Sequence, residues 1–176
     1  MTKVVVNGGH EPKVDSGAVG SRSTEADITQ KLMLLVSAYL EKAGCEVMAV
    51  QTADLAEICN VTNRWGADIL VSIHCNASET RKAKGTETFA YHGSREGDAL
   101  AHFIQSQIVT SLATTNRGVK EAGFYVLKHT KCTAVLVETA FIDNKGDEQL
   151  LLDKTDEFAR AIARGVTDYI VARGGK

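Results

Sequence analysis

The stretch DILVSIHCN, residues 68–76, is a run of six residues, Asp68 to Ile73, that is apolar on both faces and ends at a histidine. Strands of that kind are buried on both sides, as in parallel sheets covered by helices. Outward from it, strand-like and helix-like runs alternate, the pattern of a single α/β domain with a central, mostly parallel sheet of about six strands flanked by helices. Lys3–Asn7, Cys45–Val50, Asp68–Ile73, Gly85–Tyr91, Phe124–Leu127 and Thr133–Thr139 read as strands, with Gly85–Tyr91 at an edge of the sheet. Thr24–Ala43 reads as a helix because Ile28, Leu32, Leu35, Val36, Tyr39 and Leu40 recur at helical spacing between a Thr24/Asp27 capping pair and Gly44. Asp54–Trp65, Arg95–Leu112 and Asp153–Ala172 read as further helices.

The length of 176 residues suits one core, which buries about 70% of the surface of the unfolded chain. No run approaches the roughly 18 apolar residues of a membrane span. The formal net charge of -2, with both signs interspersed, offers no basic stripe and argues against nucleic acid as a partner. Cys45, Cys59, Cys75 and Cys132 lie in separate segments without a CxxC pair and read as buried thiols. The opening MTKVVVNGG enters a strand at once and lacks the pattern of a signal peptide.

Three ionisable residues stand at or just beyond strand ends: His10 after VVVNGG, His74 after DILVSI, and Glu138 after TAVLV. That edge of an open α/β sheet is where ligands bind. Glu25, in the first turn of the first helix, can be folded back beside His10 by the intervening loop. Two histidines and a carboxylate are the ligand set of a catalytic zinc site with one open position. Glu138, ending a buried strand, suits a proton shuttle because desolvation raises a carboxyl pKa. Taken singly, a histidine at a strand end is more often a loop hydrogen-bonding residue, and Glu25 is explained equally by the helix dipole. No HExxH or CxxC spacing is present. His92, His102 and His129, placed in a turn, a helix and a loop, read as ordinary surface residues. Cys75 points away from His74 if the strand persists. Trp65 reads as a helix end packed under the sheet. Gly8 and Gly9 are expected to let the chain turn so that His10 faces the metal.

The segments NGGHEPKVDSGAVG, STEADITQKL, GADILVSIHCNAS, KGTETFAYHGS, NRGVK, FYVLKHT and AVLVETAFIDN resemble, in order, the blocks of the zinc-dependent N-acetylmuramoyl-L-alanine amidases of the type-3 family. The resemblance runs from about residue 3 to about residue 171, with SIHCN and VETAFIDN its most specific parts. It implies one Zn²⁺ per chain held by His10, Glu25 and His74, with Glu138 as the catalytic residue. The implied reaction is hydrolysis of the amide between the lactyl group of N-acetylmuramic acid and L-alanine of the peptidoglycan stem peptide. The alternatives are a zinc peptidase cleaving within the stem peptide and a catalytically silent wall-binding module. Residues 1–176 are expected to form one catalytic domain without a separate wall-binding domain, acting as a monomer on bacterial peptidoglycan and not on membranes. With no export signal seen, the expectation is a phage-type endolysin made in the cytosol or an excised domain of an exported enzyme. Two departures from the family stand out: Cys132 and Thr133 where a proline is common, and Ile58, Cys59 and Asn60 where an arginine is common.

Overall fold

The computed structural model describes residues 1–174. Six strands form one sheet: β1 (Lys3–Gly8), β2 (Glu46–Val50), β3 (Ile69–Asn76), β4 (Thr86–Ala90), β5 (Asn116–Glu121) and β6 (Thr133–Phe141), in the order β2-β1-β3-β6-β4-β5. β2, β1, β3 and β6 run parallel, β4 is antiparallel to β6, and β5 is parallel to β4. The α/β architecture with a mostly parallel sheet thus agrees with the sequence reading.

Helices α1 (Glu25–Lys42), α3 (Arg95–Leu112) and α6 (Thr155–Ala172) cover one face, where Val4, Val6, Val71, Ile73, Val135 and Val137 are fully buried against them. Helices α2 (Leu55–Trp65) and α4 (Tyr125–His129) cover part of the other face over Val5, Leu70, Ala134 and Leu136. Because α1 and α2 lie on opposite faces, the chain leaves β1 in one direction and returns to β3 from the other. The crevice between the C-terminal ends of β1 and β3 is therefore the topological switch point of the sheet.

The start signals act as read. Thr24 caps α1 by accepting from the Asp27 amide, and Asp54 caps α2 by accepting from the amides of Ala56 and Glu57. Gly66, at φ 69, closes α2 in the left-handed conformation.

Several boundaries differ. Residues 124–127 are not a strand: α4 begins at Tyr125, and the adjacent residues Val126 and Leu127 are both buried. Burying two consecutive side chains on one surface suits a helical turn, whereas a strand would point them to opposite faces. The sixth strand is instead β5, NRGVKE, which carries one apolar residue, Val119, and is held by its backbone pairing to β4. β4 is consequently interior to the sheet. A helix that the periodicity left unread, α5 (Lys145–Asp153), precedes α6 and starts on the Asn144 cap. His129 ends α4 and does not lie in a loop. The four cysteines are free thiols, with Cys59 and Cys75 buried.

Candidate metal centre

β3 extends further than its apolar run alone suggests, so His74 lies within it and not beyond it; Glu138 lies within β6, inside the bounds read from the sequence, and is the direct register partner of His74. His10 follows β1, and Glu25 opens α1. Ligand atoms of His10, Glu25 and His74 lie within 4.8 Å of one another. Glu25 Oε2 is 3.2 Å from His10 Nε2, and Glu25 Oε1 is 2.9 Å from His74 Nδ1. The two imidazoles meet edge to face with centroids 5.5 Å apart.

The loop expected to fold Glu25 back does so through specific bonds. The Ala18 amide donates to Glu25 Oε2 at 2.9 Å, the Glu25 amide to the Ala18 carbonyl at 2.9 Å, and the Ala26 amide to the Ser16 carbonyl at 3.1 Å. The Cys75 amide donates to Glu25 Oε1 at 3.1 Å. Further along, Glu148 of α5 is buried and accepts from the Ser21 hydroxyl, the Arg22 amide (2.7 Å) and the Ser23 hydroxyl (2.9 Å), which fixes the return limb of the loop.

Glycine acts differently from the expectation. The left-handed turn falls on His10 itself, at φ 60, and neither Gly8 nor Gly9 has a positive φ. Histidine adopts that conformation more readily than most residues. Gly9 is required for space: a Cβ there would stand 2.4 Å from the His74 ring. At Gly17, φ 62, a Cβ would stand 2.5 Å from the His10 ring and 2.6 Å from Glu25 Oε2. The glycines are thus the walls against which the ligands pack.

Asp15 Oδ2 lies 2.7 Å from His10 Nδ1, leaving Nε2 directed at Glu25. A carboxylate on the far nitrogen of a histidine is the arrangement that orients a metal ligand and raises its basicity. The hydrogen bond to Glu25 pushes the His10 pKa up to about 9, with burial opposing and Asp15 adding to the rise. For Glu25, burial works to raise the pKa, but hydrogen bonds from His10 and His74 override it and hold the carboxyl well below its ordinary range. An ionised, buried carboxylate bracketed by two imidazole nitrogens is a donor set that fits a divalent cation with nitrogen and oxygen preference. A cavity of about 150 Å³ opens beside the ligands, lined in part by Asn7, Thr52, Ala53 and Ile58.

Glu138 stands apart from this satisfied cluster. Its Oε2 is buried and has no hydrogen-bond partner among the described residues. Burial pushes its pKa up to about 7, partly offset by the nearby His74 and reinforced by Glu25 and Glu87. A carboxyl poised there can exchange a proton near neutral pH.

A family model described as N-acetylmuramoyl-L-alanine amidase matches residues 4–168. The chain belongs to the N-acetylmuramoyl-L-alanine amidase family. Over 174 residues it is 33% identical to N-acetylmuramoyl-L-alanine amidase LytC of Bacillus subtilis (strain 168), covering 94% of this chain and 35% of that one. The chain therefore spans about a third of the length of that amidase. Among solved structures, amidase AmiC2 of Nostoc punctiforme superposes with a TM-score of 0.91 at 30% identity, covering 97% of each chain. The catalytic domain of the amidase CwlV from Bacillus (Paenibacillus) polymyxa var. colistinus superposes at 0.90 with 29% identity, covering 97% of this chain and 99% of that one. The fold shared with these amidases is thus the whole α/β unit.

Sequence reasoning passed over Asp15, Gly17, Glu148 and Glu87. Asp15 and Gly17 sit in a loop without periodicity, and Glu148 opens a helix where an acidic residue is ordinary. His92 and His102 pair at the surface with Glu121 (3.6 Å) and Asp98 (3.4 Å), away from the cluster. Trp65 packs partly buried beneath the sheet with the Lys3 ammonium over its ring.

Proposed function

We propose that the chain is a zinc-dependent hydrolase of the amide between the lactyl group of N-acetylmuramic acid and L-alanine in peptidoglycan. His10, Glu25 and His74 would hold one Zn²⁺. When bound, the ion supplies Lewis acidity, polarising a carbonyl and lowering the pKa of water to about 7. Glu138 takes the proton of the attacking water and passes it to the departing alanine nitrogen. Asp15 keeps the His10 ring oriented, and the loop around Gly17 keeps Glu25 on the cluster. The single observation that carries this reading is the buried Oε2 of Glu138, without a hydrogen-bond partner among the described residues, on the strand position paired with His74, one of the three residues whose ligand atoms converge. A site for binding alone would have no use for that unpaired oxygen. All four residues come from one chain, which supports action as a single copy at the cell wall.

The test is digestion of purified peptidoglycan, with and without a chelator, followed by mass spectrometry. Sugar-free peptides beginning with L-alanine are expected, and none after chelation. Peptide stubs left on the sugar would establish a peptidase, and binding without any released product a silent wall-binding module.

A further inference from the structure

The face of the sheet that carries His74 and Glu138 continues as a polar track beyond them. Glu87 of β4 is the direct register partner of Glu138 across the antiparallel β4–β6 pair, and is itself buried. Its Oε1 accepts from Asn76 Nδ2 at 2.7 Å, and its Oε2 accepts from Arg117 Nε at 3.0 Å and from the Lys120 ammonium. Arg117 and Lys120 lie three residues apart on β5, so in a regular strand they would point to opposite faces. They share a face because the β4–β5 register slips between Thr86 and Thr88, where Asn116 and Val119 are the partners, and Gly118 turns at φ 84. Such a bulge re-aims a side chain, and bulges concentrate beside active sites.

One cation would suffice to satisfy Glu87, given the amide of Asn76. With two, the Glu87–Arg117–Lys120 group taken by itself carries one surplus positive charge. Both side chains are partly exposed, at 33% and 41%. Arg117 uses Nε on Glu87 and rests on the Phe141 ring at 4.9 Å, and its terminal amino groups make no hydrogen bond among the described residues. Lys120 keeps two ammonium donors beyond the one on Glu87. These are donors prepared for an anion, fixed from beneath by a buried carboxylate.

We propose that Arg117 and Lys120 form a subsite for a carboxylate of the substrate peptide, on the side of Glu138 away from the metal ligands. This rests on the amidase reading above. Strands are about 4.8 Å apart, so the cationic heads over β4 and β5 lie about 5–10 Å from the strand of Glu138. A peptide advances about 3.4 Å per residue, so that interval matches a carboxylate one to three residues past the scissile amide. In the stem peptide, the residue after L-alanine is a glutamate linked through its side chain, whose α-carboxyl is free in some walls and a carboxamide in others. The subsite distinguishes these two forms.

The experiment compares kcat/KM of the zinc-loaded chain on two soluble N-acetylmuramoyl tetrapeptides that differ only in that group, carboxylate or carboxamide. The wild type is expected to prefer the carboxylate by on the order of tenfold, the scale of one charge-assisted hydrogen bond. Arg117→Gln and Lys120→Met should each draw the ratio toward one, and Lys120→Arg should keep it. If Arg117→Gln fails to fold, Lys120→Met, which leaves Arg117 and Asn76 on Glu87, carries the same readout. Equal wild-type rates on both substrates, or variants that slow both in proportion, overturn the subsite and leave the amidase reading standing. Hydrolysis of neither substrate by the wild type overturns both.

Discussion

On the β1–β3 side of the site, Glu25 is buried with each oxygen engaged, by His10, His74 and the amides of Ala18 and Cys75. On the β6 side, Glu138 occupies a neighbouring strand position, yet its Oε2 meets no donor among the described residues. The first environment stabilises a negative charge and the second resists one, so their pKa values move in opposite directions. Two carboxyls pushed apart by environment are how a site separates holding a cation from moving a proton. The largest test of that contrast is Glu138→Gln. Its expected outcome is a loss of about 10²–10⁴ in kcat, the usual worth of a general acid–base group, with full metal content by elemental analysis. Loss of metal in this variant would place Glu138 among the ligands and erase the distinction.

The ligand side is broken instead by adding a methyl group. Gly9→Ala puts a carbon 2.4 Å from the His74 ring, and the ring must move because β1 pairs with β3 there and the Gly9 amide donates to the Ile73 carbonyl at 2.8 Å. Displaced ligand orientation costs on the order of 100-fold in metal affinity, the upper end for residues supporting a ligand. Zinc titration against a competing chelator measures it. Unchanged affinity would show that the wall formed by Gly9 is not what positions His74.

The opposite shifts also give opposite dependences of stability on pH in the metal-free chain. Glu138 has its folded pKa raised to about 7 from an ordinary 4.5, so the native state binds the extra proton between these values. Its contribution is fully present below pH 4.5 and is lost as pH rises through 7. Glu25, held low, contributes stability that is present above its unfolded pKa and is lost as pH falls through its folded value. Glu138→Gln should therefore stabilise the metal-free chain by about 3 kcal/mol at pH 8 and change it little at pH 4, read from urea unfolding. The proposed role requires Glu138 to be ionised to accept a proton, so in the zinc-loaded wild type kcat/KM should fall on the acid side. The cation beside it draws that limb to below 7. Equal stabilisation at both pH values would mean that Glu138 Oε2 is solvated.

The legible part of this site consisted of residues attached to periodic elements. His74 and Glu138 follow apolar strand runs, and Glu25 follows a helix cap, so strand-end and helix-start chemistry located them. The positions of the strand ends were less legible, because hydrogen bonding carries β3 past Ile73 through His74 to Asn76, and β6 two residues past Thr139 to Phe141. β5 was missed for a related reason: its residues gain little from burial, and pairing with β4 overrides weak propensity. Arg117 and Lys120 became neighbours only through the bulge at Gly118, a register event with no composition signal. Gly9 was legible as a glycine but not as a wall, since the atom it makes room for belongs to a residue 65 positions away.

Asp15 supplies the smallest effect and the sharpest view of the ligand side. Its Oδ2 stands 2.7 Å from His10 Nδ1, while its Oδ1 accepts from the Gly17 amide at 3.0 Å, so one carboxylate both orients the ring and closes the turn that faces it. The side chain is 48% exposed, which screens its charge and limits its electrostatic worth. Asp15→Asn keeps an acceptor of the same shape and removes the charge, so zinc affinity should weaken by about tenfold, the lower end for a group supporting a ligand. Asp15→Ala removes the acceptor as well and should weaken it further, because the His10 ring, already in a left-handed backbone conformation, then loses the bond that fixes its orientation. Chelator competition on the two variants separates charge from orientation. If Asn and Ala weaken binding equally, the charge of Asp15 is what His10 uses, and the geometry of the turn is secondary.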